Sequence, residues 1–305
     1  MHVVITGGAG FIGSHIAGLF AGEGYKVTVF DNLSSGKKGN LSHISGKINL
    51  VKGDIRNFNS LKKTFKGADY VIHNAALIYV PESFKDPFGY NDANVNGTLN
   101  VLMAARQTKV KKVAFASSAA IYGNAKTPIN EMTPLKPMSV YALNKIAGEQ
   151  YCKFFNDFYG LNTVVLRYFN AFGPRQNPES AYAAAVPIFI RKFLQNKKAD
   201  VFGDGEQTRD FIYVKNIALA NLLALKNEKA NGLAMNIASG RKISINSLLK
   251  KISPDLGAVH LKSREGDIRH SLADVKLSKS ILGNYEKYSF EEGLKETIEY
   301  YKNCQ

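Results

Sequence analysis

Short apolar runs and helical patterns take turns along the first two thirds of the chain. The runs fall at His2–Thr6, Lys26–Phe30, Ile48–Lys52, Tyr70–His73, Val113–Ala116 and Thr163–Leu166. Alternation of this kind predicts an α/β fold built on a doubly wound parallel sheet. Beyond Asn170 the pattern loosens, with Gly, Pro and Asn clustered from Gly173 to Pro178 and shorter elements after them. We expect a smaller C-terminal α/β domain there, covering the carboxyl edge of the sheet, where ligands of open α/β sheets bind. The expected division is 1–168 and 169–305, with some later segments returning to the first domain. No internal repeat or low-complexity segment interrupts it.

A chain of 305 residues with 45% hydrophobic residues can bury a large core. No run approaches the roughly 18 to 20 uninterrupted apolar residues that cross a bilayer, and no basic leader precedes the first apolar run, so a cytoplasmic protein without membrane association is expected. Cys152 and Cys304 are too few and too badly placed for a disulfide framework or a metal site. The net charge of +15 raises the question of a nucleic-acid partner. The lysines, however, come in scattered pairs such as Lys37 with Lys38 and Lys197 with Lys198, in stretches that read as solvated surface. A basic field that attracts a small anionic substrate accounts for the charge without nucleic acid.

The run Gly7-Gly8-Ala9-Gly10-Phe11-Ile12-Gly13 follows a predicted strand and opens a predicted helix. In that context a glycine-rich match is a dinucleotide signature: glycines allow a tight turn and let backbone approach a pyrophosphate, whose charge the helix N-terminus stabilises. The sheet is therefore expected to be of the Rossmann type. Asp31 ends the second strand, where a carboxylate accepts hydrogen bonds from both ribose hydroxyls and repels a 2′-phosphate, favouring NAD over NADP.

Tyr141 and Lys145 are four apart in a proline-free helical pattern from Ser139 to Tyr159, so both project from one face. An ammonium beside a phenol favours the phenolate and makes tyrosine a usable base. Tyr122 and Lys126 have the same spacing, but Gly123 and Pro128 place them in a loop. Ser118 lies just past the strand Val113–Ala116. Alone it reads as a turn former or cap; with Tyr141 and Lys145 downstream, it reads as a hydroxyl bridging substrate and phenol.

These residues carry a resemblance: the chain is similar to the extended short-chain dehydrogenase/reductases, specifically to UDP-glucose and UDP-N-acetylglucosamine 4-epimerases. Matching segments run in order along nearly the whole chain, among them Asp31-Asn32-Leu33-Ser34-Ser35-Gly36, His73-Asn74-Ala75-Ala76-Leu77, Ser117-Ser118-Ala119-Ala120-Ile121-Tyr122-Gly123, Arg167-Tyr168-Phe169-Asn170 and Thr208-Arg209-Asp210-Phe211. The resemblance implies NAD-dependent 4-epimerisation of a UDP-hexose through a transient 4-keto sugar. Tyr141 would be the base, with Ser118 and Lys145 as its catalytic partners. NAD would be held by Gly7, Gly10, Phe11, Ile12 and Gly13 of the turn, and by Asp31 on the adenosine ribose with Asn32, Ser35 and Gly36. Asp54 and Ile55 would border the adenine, Ala75, Ala76 and Asn94 would line the site further on, and Tyr141 and Lys145 would sit at the nicotinamide end. For the substrate, Asn170, Arg209 and Arg264 would hold the diphosphate, Phe202 would flank the uracil and Asp267 would contact the uridine ribose. Guanidinium forks suit phosphate oxygens and stay charged at any working pH. Ser271 would stand at a wall position where a small residue admits an N-acetyl group and a bulky tyrosine excludes it. A homodimer is also implied, with the helices near Asn94–Arg106 and Ser139–Tyr159 in a shared bundle.

Related activities make different demands. Sugar 4,6-dehydratases carry an acidic pair after the active Thr or Ser, and glucuronate decarboxylases a Glu; here those positions are Ala119 and Ala120, which can neither give nor take a proton. Glucuronate 4-epimerases, many with Thr at the position of Asn170, are the nearest alternative. A non-catalytic NAD-binding scaffold is a further one, but such proteins usually lose the Tyr or the Lys that this chain keeps.

Overall fold

In a computed structural model, which describes residues 1–178, 184–255, 257–263 and 268–304, the predicted strands assemble one sheet. Strands β1 (His2–Thr6), β2 (Lys26–Asp31), β3 (Ile48–Lys52), β4 (Tyr70–His73), β5 (Lys112–Ser118) and β6 (Asn162–Tyr168) alternate with helices α1 (Phe11–Gly22), α2 (Phe58–Phe65), α3 (Val80–Lys85), α4 (Pro87–Asn91), α5 (Gly97–Gln107) and α6 (Val140–Tyr159). Three strands run past their apolar cores into polar residues. The largest extension is β5, whose Lys112 is buried with its ammonium on the carbonyls of Ala224 (3.2 Å) and Asn227 (2.8 Å), so a charged residue sits inside the ladder.

The C-terminal third contributes β7 (Asn170–Phe172), α7 (Ala185–Leu194), β8 (Ala199–Phe202), β9 (Thr208–Arg209), β10 (Phe211–Tyr213), α8 (Val214–Lys226), β11 (Ala234–Ile237), β12 (Ile243–Ser244), α9 (Ile245–Ile252), β13 (Ala258–Leu261), α10 (Lys276–Leu282) and α11 (Phe290–Lys302). The large sheet is entirely parallel, in the order β11-β6-β5-β4-β1-β2-β3, so β11 crosses back to its edge. One face is covered by α1, with α8 and α10 returning from the later chain, around Ile16, Phe20, Val29 and Ile217. The other is covered by α2, α5 and α6 around Phe30, Leu61, Phe115 and Phe155. Three two-stranded pairs, β7 with β10, β8 with β13 and β9 with β12, share a third core in which Phe172 meets Phe211, Tyr213 and Phe290.

Helix α6 is delimited by local chemistry. Ser139 caps its start by accepting from the Ala142 amide (3.1 Å), and Gly160, with φ of 65°, turns the chain left-handed at its end. No helix among the described residues is long and apolar enough to cross a membrane.

Candidate active site

The chain leaves β1 into Gly7, whose φ of 69° is left-handed. A Cβ on Gly13 would lie 2.2 Å from the Gly7 carbonyl oxygen, so only glycine lets α1 start this close to β1. Gly10 caps α1 with no side-chain hydrogen bond, which leaves the first-turn amides facing outward for an anion. Asp31 is fixed by the same turn: one carboxylate oxygen accepts from the Ala9 amide (2.9 Å) and the other from the Leu33 amide (2.8 Å).

These groups open onto a cavity of about 830 Å³. Gly7, Gly10, Phe11, Ile12 and Gly13 form one wall; Asp31, Asn32, Ser35, Asp54 and Ile55 form one end; Ala75 and Ala76 lie across it. Asp54 accepts from Asn32 (2.9 Å) and from Arg56, whose guanidinium holds its carboxyl well below the usual carboxylate range. A narrow turn with free amides, a fixed carboxylate and an elongated cleft fit a dinucleotide.

Two further residues expected at the cofactor are buried next to the cavity. Asn94 is buried in a π-helical turn, Asp92–Asn96, and its amide clamps both main-chain groups of Leu77, at 2.8 and 2.9 Å. It holds the Ala75–Leu77 loop, which lines the cavity. Gly36 is buried against the turn, where a Cβ would meet the Ala9 carbonyl carbon at 2.9 Å and Asp31 Oδ1 at 3.0 Å. Conversely, Arg175 lines the cavity and sequence reasoning passed over it. It has a left-handed φ of 68°, its Nε is buried without a hydrogen-bond partner, and burial lowers the basicity of its guanidinium. The signal was an arginine directly after Gly173-Pro174 at the carboxyl edge.

Ser118, Tyr141 and Lys145 come together at the junction of β5 and α6; none of the three lines the cleft itself, but β5 is the neighbour of β4, whose following residues Asn74–Tyr79 do. Ser118 ends β5 and caps the following turn by accepting from the Ala120 amide (3.2 Å); its hydroxyl is near enough to the Tyr141 phenol to favour the ionised form. Lys145 donates to the Ala116 carbonyl at 2.8 Å, and its Nζ lies 5.8 Å from the centre of the Tyr141 ring. Burial lowers the Lys145 ammonium to about 8, partly opposed by Glu149. Burial raises the Tyr141 phenol, and the Ser118 hydroxyl only partly offsets this; the Lys145 ammonium is not among the groups that shift it in this geometry.

Asn170 begins β7 just beyond Tyr168, which stands opposite Ser118 in the β5–β6 register. Its side-chain amide donates to the Asp210 carbonyl (3.1 Å) and the Ser271 hydroxyl (3.4 Å). Asp210 itself is buried, and its carboxylate gathers the Ser239 amide and hydroxyl and the Gly240 and Ala273 amides, at 2.7 to 3.1 Å; burial pushes it up to about 6. Asn170 thus meets the Asp210 main chain and Ser271, Arg209 at the end of β9 immediately precedes Asp210, and Phe202 ends β8 with its carbonyl accepting from Gln207 (2.8 Å). Arg264 and Asp267 lie outside the described residues.

Comparison with known proteins agrees with this geometry. A UDP-N-acetylglucosamine 4-epimerase from Methanobrevibacter ruminantium, solved in complex with UDP-N-acetylmuramic acid, is 42% identical and superposes with a TM-score of 0.95 over 100% of this chain and 99% of that one. A UDP-glucose 4-epimerase from Thermotoga maritima with UDP-glucose gives 37% identity and a TM-score of 0.94 over 100% and 99%. The UDP-glucose 4-epimerase of Mycolicibacterium smegmatis is 34% identical over 99% of this chain and 99% of its own. With the model of that family matching residues 3–238, the chain belongs to the NAD dependent epimerase/dehydratase family.

Proposed function

We propose that the chain interconverts the 4-epimers of a UDP-hexose. The observation that carries this is the Ser118–Tyr141–Lys145 group at the carboxyl end of β5, one strand over from β4, whose end lines the dinucleotide cleft, with only the methyl groups of Ala119 and Ala120 after the serine. NAD in that cleft supplies a hydride acceptor that later returns the hydride, so none is consumed. Tyr141 acts as the phenolate: its oxygen takes the proton of the sugar 4-hydroxyl, becoming the neutral phenol, and gives the proton back at the end of the cycle. Ser118 bridges that hydroxyl and the phenol, and Lys145 holds the nicotinamide ribose and stabilises the phenolate. The first-turn amides of α1 and Arg175 face the cofactor's pyrophosphate, while Asn170, Arg209, Arg264, Phe202 and Asp267 hold the UDP portion. The absence of an acid or base after Ser118 opposes elimination and decarboxylation.

The substrate range we infer is UDP-N-acetylglucosamine with UDP-N-acetylgalactosamine, and the non-acetylated pair as well. Ser271 supports this: it is small and buried within reach of the Asn170 amide, where a tyrosine would be bulky and a serine hydroxyl can partner an acetamido group. A homodimer is part of the proposal. Leu143, Phe154 and Phe158 are exposed along α6, and Val95, Ala147 and Tyr151 line an apolar hollow beside them. The test is to assay UDP-glucose and UDP-N-acetylglucosamine side by side. Conversion of both with no accumulation of NADH supports the reading, and stoichiometric NADH or a dehydrated product overturns it.

A further inference from the structure

At one level of the large sheet, three adjacent strands carry polar side chains in register: Ser117 on β5 opposite Arg167 on β6, and Arg167 opposite Asn236 on β11. All three are buried. Strands covered on both faces by helices are ordinarily apolar, and this row meets α6 at Glu149. The Ser117 hydroxyl donates to Glu149 at 2.5 Å, and Arg167 donates to both its oxygens, the shortest bond being 2.6 Å. Arg167 also donates to the Tyr122 hydroxyl (2.7 Å), which donates on to Asn236 (2.7 Å).

Glu149 follows Tyr141 and Lys145 at the same four-residue step on α6. Two of the helix residues bond successive residues of β5, Lys145 the Ala116 carbonyl and Glu149 the Ser117 hydroxyl, and Tyr141 stands near enough to the next, Ser118, to feel its hydroxyl. An ion pair this deep adds little stability over apolar side chains of similar size, so its geometry is the better clue to its use.

We propose that Glu149, anchored by Ser117 and Arg167, is a positioning residue for the Tyr141–Lys145 pair: it sets the register of α6 over the β5–β6 seam and is the counter-charge of the buried Lys145 ammonium. The proposal rests on the reading of that pair given above. The groups facing Lys145 are few. Glu149 and Cys152 on its own helix favour its charge, the ring of Phe115 on β5 stands 5.0 Å away, Tyr141 lies above it, and His73 on β4 is kept neutral by burial. Glu149 is the carboxylate among them, so its removal leaves burial to act on the ammonium almost unopposed.

The experiment compares kcat and KM across pH for NAD-loaded wild type, E149Q, E149D and the pair E149Q/R167M, with ultraviolet difference absorbance of tyrosinate as a readout that needs no turnover. E149Q should retain NAD and keep KM within about threefold, while kcat falls at least about tenfold and its alkaline decline moves down by about one pH unit. E149D should return that decline toward the wild-type position. If E149Q does not fold, the charge-neutral pair decides, since replacing both partners is tolerated better than stranding one, and it should show the same displacement. A loss of kcat equal at every pH, with the alkaline decline and the tyrosinate titration unmoved, overturns the role of Glu149. Near-normal turnover in Y141F and K145M would instead overturn the reading of the catalytic pair.

Discussion

Replacing Gly13 by alanine tests how tightly the cofactor turn is built. The added methyl would stand 2.2 Å from the Gly7 oxygen and 2.7 Å from Gly8 Cα, both backbone atoms that no rotamer change can remove. Gly7 cannot retreat, because its own Cβ position is 2.6 Å from the Ala75 amide nitrogen. The start of α1 must therefore shift, against the packing of α1 on α8. Overpacking of this kind costs about 1 to 3 kcal/mol, and contact with backbone on both sides argues for the upper end. Helix propensity returns up to about 1 kcal/mol, leaving a net loss near 2 kcal/mol. Gly22, in the last turn of the same helix, has nothing within 4 Å of its Cβ position, so Gly22→Ala gains the propensity without the clash. The two variants should differ by about 3 kcal/mol, on the order of 6 to 12 °C in Tm at roughly 2 to 4 °C per kcal/mol. Thermal scans with and without NAD measure this. Gly13→Ala should also lose most of the NAD-induced rise in Tm, because the first-turn amides move with the helix. Equal melting temperatures with equal response to NAD would refute the reasoning.

Tyr141→Phe should abolish most turnover while UDP binding, measured by calorimetry, stays nearly intact, and Ser118→Ala should cost less; retained turnover at neutral pH would remove Tyr141 as the base. Ser271→Tyr should suppress the acetylated substrate pair and spare UDP-glucose and UDP-galactose, so an equal loss on both pairs in parallel assays would count against the wall position. Burial depresses both His15 and His73 from 6.5 to about 3, so each is neutral when folded. Below pH 6.5 the unfolded chain binds protons that the folded chain refuses, and stability should fall from there toward pH 3 by up to about 1.4 kcal/mol per pH unit for each histidine. Denaturant unfolding across that range, with His73→Gln flattening the slope, checks it.

Much of the cofactor half was legible because it depends on local chemistry. β1, β3 and β4 fall where the apolar runs lie, and the turn, Asp31 and the α6 pair needed only order and spacing. What escaped depends on residues far apart in sequence. Nothing in Ala234–Ile237 marks it as a strand of the large sheet until β6 is there to pair with it. Glu149 looks like a polar position on a helix until Arg167 is placed opposite, and Asp210 looks like a surface carboxylate until four donors from later loops converge on it. Asn94 was assigned to the cofactor, and only the π-helical turn shows its amide aimed at Leu77.

The return of β11 to the edge of the large sheet has a consequence for biosynthesis. Until Ala234–Ile237 has emerged, β6 presents an unpaired ladder of amides and carbonyls, and Arg167 lacks Asn236 at its side. An open edge of this kind pairs readily with other chains. The first half can thus pair its own strands early during synthesis, yet it stays adhesive along one side until a strand from well into the second half closes it, and the last helix, with Tyr300 and Tyr301, completes the cleft wall later still.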